Sequence, residues 1–355
     1  MASQESKLAG TRRAAKAGSW YTANPDILSK QLEKWLDDVP NKINGSSLPI
    51  PGARVIIAPH AGYSYSGPCA AWAYKALDLS KAERIFVLGP SHTYGLSGCA
   101  LTTFAHWATP LGDLVVDQDV MDELRATGRF ADIPRFNDTE EHSLEMHMPY
   151  IYKRLEQTWR DSRPWPTIVP MVVGDGSPSA EKRVGRLLAP YLRDPANAFV
   201  ISSDFCHWGS DNFGYSTYCT SPELEDLQKL SKYGPAPTDP PIHEAIRYLD
   251  EAAMASIETG IYDRFRANID LTENTVCGRH PIGVMMAALE ELASKPKWGK
   301  AAAVATDAEE AESNEVKPPE MKGTGKFAFV QYRRSSLVND VNKTSVSYAS
   351  AYAIV

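Results

Sequence analysis

The apolar run Arg54-Val-Ile-Ile-Ala58 ends at Pro59-His60, inside the passage Ala58-Pro-His-Ala-Gly-Tyr-Ser-Tyr-Ser-Gly67. Gly62 and Gly67 permit tight turns and close approach of a ligand. His92 closes a second passage of the same kind, Arg84-Ile-Phe-Val-Leu88 followed by Gly89-Pro-Ser-His92. A single histidine in such a loop is ordinarily satisfied by backbone groups. Two of them at the ends of neighbouring strands could face one crevice, where neutral imidazoles make common metal ligands. Asp204 ends a third run, Ala198-Phe-Val-Ile201, within Ser202-Ser-Asp-Phe-Cys-His-Trp208. Asp204 and His207 have the spacing of a carboxylate that orients an imidazole for proton transfer, although an aspartate N-cap beside a stacked His-Trp pair is the plainer alternative. Cys277 lies in Thr275-Val-Cys-Gly-Arg-His-Pro281, ahead of a helix expected from Pro281 to Leu292. A thiolate there, near a helix start and beside Arg279 and His280, would be stabilised as an anion and suit a metal ligand or a nucleophile. A buried structural thiol is the plainer alternative.

In Thr139-Glu-Glu-His-Ser-Leu-Glu-Met-His-Met-Pro149, a helix start capped by Thr139 places Glu141 and His142 nearer a pocket than His147. His142 and His147 are five apart and cannot share a helical face, so this is not a zincin helix.

These groups need elements to hold them. The runs 54–58, 84–88, 167–173 and 198–201 are continuous and rich in β-branched residues, as in strands buried on both faces. Helical spacing appears at Pro25 to Leu36, with Asn24 as N-cap, at Ala70 to Leu77 and at Ala180 to Leu192. The alternation predicts an α/β class, with a central mostly parallel or mixed sheet flanked by helices. Function in such sheets sits beyond the carboxyl ends of the strands, where His60, His92 and Asp204 fall. Residues 1–16 read as a flexible tail, and 17–355 as one α/β domain. Surface excursions are expected near 219–243, rich in proline, and near 300–325, which is acidic and expected to be disordered. The chain then returns through a strand at 326–332 and an apolar segment at 345–355.

The net charge of -7 argues against nucleic acid as a partner. No apolar stretch is long enough to span a bilayer, and no signal peptide is visible. Five scattered cysteines without a CxxC pair point to a reduced, intracellular setting: cytoplasmic, with the nucleus as a second location. Nucleotide-binding glycine loops and a GxSxG elbow are absent.

Six blocks together resemble the signature of the Memo family (mediator of ErbB2-driven cell motility). They are Gly18-Ser-Trp-Tyr21, Ile57-Ala-Pro-His-Ala-Gly-Tyr63, Leu88-Gly-Pro-Ser-His92, Glu141-His-Ser-Leu-Glu-Met-His147, Ser202-Ser-Asp-Phe-Cys-His-Trp-Gly209 and Cys277-Gly-Arg-His-Pro-Ile-Gly283. The resemblance runs from about residue 16 to 355, with both excursions as insertions relative to the animal proteins. It implies a fold similar to class III extradiol dioxygenases, whose iron is held by two histidines and a glutamate. The matching positions are His60, His92 and Cys277. A thiolate in place of the glutamate suits copper, slightly favoured, or iron in a different electronic state. The dioxygenase base matches His207, supported by Asp204, and Trp20 and Tyr65 match pocket-lining positions, beside Glu141, His142 and Arg279.

Three readings follow. The first is a copper- or iron-dependent redox protein with an unknown small-molecule substrate. The second is a non-catalytic adaptor that binds phosphotyrosine or other peptides in the old enzyme crevice and acts in signalling, motility and cytoskeletal control. The third is a hydrolase with Cys277 as nucleophile and His207 with Asp204 as base.

Overall fold

In the computed structural model, residues 8–160, 164–294 and 322–355 are described. A nine-stranded mixed sheet forms the centre. Its strands are β1 (Ala53–Ala58), β2 (Arg84–Pro90), β3 (Cys99–Leu101), β4 (Phe130–Asp132), β5 (Thr167–Val173), β6 (Asn197–Ser202), β7 (Asp204–Trp208), β8 (Phe327–Arg334) and β9 (Ser345–Ile354). Their order is β7-β9-β1-β6-β2-β5-β3-β4, with β8 paired to β9.

β1, β6, β2 and β5 run parallel to one another. All but the first residues of β2 and β5 are buried, which is why the sequence shows continuous apolar runs there rather than alternation. Parallel strands end on the same edge, so His60, His92 and Asp204 leave β1, β2 and β6 together. In-register pairs such as Ser202 with Ala58 and Ile201 with Leu88 set those ends level. β3 and β9 join antiparallel, making the sheet mixed rather than wholly parallel.

The helices of nine residues or more are α1 (Pro25–Asp37), α2 (Tyr63–Ala76), α3 (Gln118–Ala126), α4 (Met148–Thr158), α5 (Pro178–Arg193), α6 (Ile242–Glu258), α7 (Tyr262–Thr272) and α8 (Arg279–Ser294). α1 is capped by Asn24, whose side chain accepts from the Ile27 N–H, and starts at Pro25 as expected. α2 packs on β1 and β9, and α8 packs with α5 on β6 and β2. α2 begins seven residues before the expected Ala70, because a helix start on the carboxyl end of β1 needs no apolar periodicity.

Two expectations change. Residues 8–16 are not a loose tail. Thr11–Arg12 pairs in parallel with His106–Trp107, and Arg12 is 1% exposed. A buried arginine in a polar stretch gives no hydrophobic signal, so composition reads it as a tail. The 219–243 excursion is more than a surface loop. Cys219 and Ile242 join Trp208, Tyr215 and Tyr218 in a second apolar cluster, and Leu224, Leu227 and Leu230 pack on it. Most of the acidic excursion, 300–321, lies outside the described residues. No helix among the described residues is long and apolar enough to cross a membrane.

Candidate metal centre

His60 and His92 meet at the carboxyl edge of the sheet with their ring centroids 5.3 Å apart. Cys277 reaches them from the start of α8, its Sγ 3.3 Å from His60 Nε2. One ligand atom from each of the three lies within 4.8 Å of the others. The approach of Cys277 depends on Gly278. A Cβ there would stand 2.3 Å from the Ser202 carbonyl oxygen and 2.3 Å from Ser203 Cβ, so any side chain would push the α8 start away from the β6–β7 corner.

The hydrogen bonds fix the tautomer of each ring. Ser202 Oγ donates to the Ser143 carbonyl at 2.7 Å, and His60 Nδ1 lies 2.6 Å from the same Oγ. Having spent its one proton on Ser143, Ser202 must accept from His60 Nδ1–H. His60 Nε2, which faces Cys277, therefore carries a lone pair. His92 Nδ1 lies 2.9 Å from Glu141 Oε1, so it donates to that carboxylate and Nε2 is again the free acceptor. Glu141 is fully buried and also accepts the N–H groups of His92, Thr93 and Ser143. Burial alone would raise its carboxyl. The His92 ring hydrogen bond, the His92 and His142 charges and the His92 backbone N–H outweigh it and hold the carboxyl down at about 2. Glu141 is also the cap of the short helix His142–Glu145, displacing Thr139, whose hydroxyl instead donates back to the Arg135 carbonyl.

Burial, then the charges of His92 and His142, push His60 well below the usual histidine range. Burial and His92 likewise take His142 down to about 4. Both rings are neutral near pH 7, the form that binds metal. His142 stacks on His92 with centroids 4.3 Å apart, under Trp20 at 4.5 Å, and its Nδ1 lies 3.8 Å from Glu141, too far for a hydrogen bond. With His92 and Glu141 it forms a second set of three closely spaced donor groups.

Cys277 departs from expectation. Burial and the nearby Asp204 charge raise its thiol well above the usual value, outweighing the backbone N–H groups of Asp204 and Gly278. The thiol keeps its proton, and Arg279 and His280 do not turn it into a free thiolate. A bound cation would have to displace that proton.

Asp204 and His207 are both in the site, but not as an orienting pair. In a regular strand, residues three apart point to opposite faces. A bulge between them, with Asp204 opposite Tyr348 and His207 opposite Val346, turns both toward the same cavity. Asp204 Oδ1 accepts from the His60 backbone N–H at 2.9 Å and so fixes the β1 end. His207 Nδ1 instead faces the Phe205 carbonyl at 2.8 Å and the Thr275 carbonyl at 3.2 Å. Two acceptors require Nδ1–H, which leaves the lone pair on Nε2.

The cavity holds about 710 Å³. His60, His92, His142, Asp204 and His207 form its polar part, with Trp20, Tyr65, Phe213 and Tyr348 as its aromatic walls. No lysine or arginine is among its described lining residues. Arg279 belongs to a smaller neighbouring cavity, and His147 is buried away from both, its Nδ1 2.8 Å from Tyr74 Oη. Sequence reading missed Ser143, Ser202 and Thr275, because hydroxyls in strand ends and loops carry no distinctive signal until their partners are known.

A family model described as Memo-like protein matches residues 12–352. The chain belongs to the Memo family. Protein MEMO1 of Homo sapiens is 40% identical over 339 residues, covering 96% of this chain and 96% of that protein. Protein MEMO1 of Xenopus tropicalis is 40% identical over 344 residues, with 97% of each covered. Protein memo-1 homolog of Caenorhabditis elegans is 39% identical over 345 residues, 97% of this chain and 83% of that one. The match to the Memo model begins at the buried Arg12, so it takes in the last five residues, 12–16, of the segment first read as a tail.

Proposed function

We propose that this Memo-family chain binds one copper or iron ion through His60, His92 and Cys277 and is a metal-dependent redox protein. The observation that carries this reading is the tautomer order. His60 and His92 have their Nδ1 hydrogens committed to Ser202 and Glu141, which leaves Nε2 of each as the ligand atom beside one sulfur. Ligand atoms around an ion with bonds of 2.0–2.3 Å stand roughly 3.5 Å apart, so the 3.3 Å between His60 Nε2 and Cys277 Sγ suits shared ligation. Two imidazoles and a thiolate favour copper slightly over iron. A bound ion of either kind supplies one-electron redox change and Lewis acidity. His207, held by two carbonyls, offers Nε2 as a proton acceptor in the cavity wall, and Asp204 keeps the His60 backbone in place. The dioxygenase-like ancestry of the fold belongs to the same proposal.

Metal-stripped protein should take up close to one equivalent of copper or iron, and the double variant His92→Ala with Cys277→Ala should take up none. Equal binding by the variant would overturn the reading.

The large cavity also favours a second reading, a recognition pocket for an aromatic peptide side chain, used in signalling, motility and cytoskeletal control. Its volume and aromatic walls suit a tyrosine ring. Phosphotyrosine is less well served, since phosphate recognition ordinarily uses arginine clusters and this lining has none. Peptide binding that survives a chelator would support this reading.

A further inference from the structure

The smaller cavity, of about 370 Å³, shares His92 with the large one and has Cys277 in its wall, whereas His60, His142 and His207 line only the large one. Its other walls are the loop 90–96, the end of β5 at 173–175, and Arg279 with His280 at the start of α8. The ligand set is thus open on two sides, to cavities of different size and charge.

One carboxylate oxygen bridges Arg279 and His280 in the wall of the smaller cavity. Asp175 Oδ1 lies 3.5 Å from the Arg279 guanidinium and 3.1 Å from His280 Nε2. Asp175 is 87% exposed, whereas His280 is anchored from behind, its Nδ1 2.6 Å from the buried Glu181 Oε1. Glu181 is held in turn by the Tyr262 hydroxyl at 2.6 Å. The imidazole is therefore fixed and the bridging carboxylate is not. Exposed ion pairs contribute little to stability, so Asp175 is readily exchanged. Its single long contact also leaves the guanidinium fork unfilled, and that fork matches a carboxylate through two parallel hydrogen bonds.

We propose that this cavity binds a small carboxylate, which takes the place of Asp175 between Arg279 and His280 and extends its other end toward Cys277 and His92. The volume suits a molecule of a few carbons rather than a peptide. The large cavity has no lysine or arginine among its described lining residues to offer such a fork. This goes beyond the metal reading and does not depend on it.

The test uses the full chain, isotope-labelled and stripped of metal, titrated with acetate and with lactate at constant ionic strength against chloride. Saturable shifts are expected at the amides of Tyr94, Gly95 and Gly174 and at Arg279 Nε. Asp175→Asn should tighten binding about threefold by removing the internal competitor, and Arg279→Gln should weaken it about tenfold. Arg279→Lys keeps the charge without the fork and should fall between, which guards against a folding defect in the glutamine variant. Shifts confined to Ser19, Gly62 and Ser64 of the large cavity, shifts that never saturate, or unchanged affinity in Asp175→Asn would each overturn the proposal. Because no metal is present, failure here would leave the metal reading standing, and failure of metal uptake would leave this one standing.

Discussion

Glu141 shows how much one side chain decides. It carries no ligand atom in the His60–His92–Cys277 set, yet it holds the His92 ring, the His92 and Thr93 backbone and the start of the next helix. Glu141→Gln should lower metal affinity by about 10- to 100-fold, the usual effect of losing a partner that orients a ligating histidine. A competition titration with a chelator of known affinity measures it. The same residue sets an acid limit. Its folded-state carboxyl sits at about 2, below its ordinary value of 4.5, so its contribution to stability is present above pH 4.5 and lost as pH falls toward 2. That contribution is of order 3 kcal/mol. Thermal melts of metal-stripped protein between pH 2 and 5 should therefore fall less steeply for Glu141→Gln than for the parent, and parallel curves would contradict the assignment.

At the scale of elements, the site depends on a corner. β6 turns into β7 at Ser203, and α8 starts against that corner through Gly278, whose N–H donates to Ser203 Oγ at 3.1 Å. Gly278→Ala places a methyl group 2.3 Å from a backbone oxygen, which no rotamer can relieve. It should destabilise the fold by about 1–3 kcal/mol and move Cys277 out of reach of His60. Chemical denaturation reads the first effect, and the ultraviolet charge-transfer band of a metal-thiolate bond reads the second. Parent-like stability together with a parent-like band would refute this account. The short helix His142–Glu145 is the other deciding element. One turn delivers the Glu141 contact to His92 and the Ser143 contact, through Ser202, to His60, while Glu145 points away, toward the N-terminal segment.

At the scale of the molecule, the N-terminal segment is a strap over the site. Arg12 donates to Glu145 Oε2 at 2.6 Å and to the carbonyls of Arg13, Asp138, Thr139 and Glu141, with its guanidinium 4.2 Å over the Trp107 ring. Glu145 also accepts the Ala15 and Lys16 N–H groups and the Tyr21 hydroxyl. This closed network seats Trp20 on His142 and lets its carbonyl accept the Tyr63 N–H at the start of α2. Arg12→Met should cost about 3–5 kcal/mol, since it leaves Glu145 charged and buried without its cation. It should also shift Trp20 fluorescence as the strap loosens. Unchanged melting and emission would show that the strap is not held by this pair.

Much of the architecture was legible in the chain itself. The four buried parallel strands announced themselves because burial on both faces demands unbroken apolar runs. His60, His92 and Asp204 stood out because each lies within four residues of the end of such a run. The blocks around Cys277 and Glu141 marked the family. What local sequence could not carry was anything set by partners far apart in the chain. The bulge that turns Asp204 and His207 to one side depends on β9, more than 130 residues later, and the carbonyls that hold His207 include that of Thr275. The raised Cys277 thiol reflects burial and the Asp204 charge, which outweigh the hydrogen bonds from the Asp204 and Gly278 N–H groups and from Ser203. Arg12 reads as a polar tail residue until its carbonyl partners at 138, 139 and 141 are brought to it. Residue types and strand ends are properties of the chain. Tautomer, charge state and which cavity a side chain faces are properties of the packed whole, because each is fixed by groups that only the tertiary fold brings within hydrogen-bond reach.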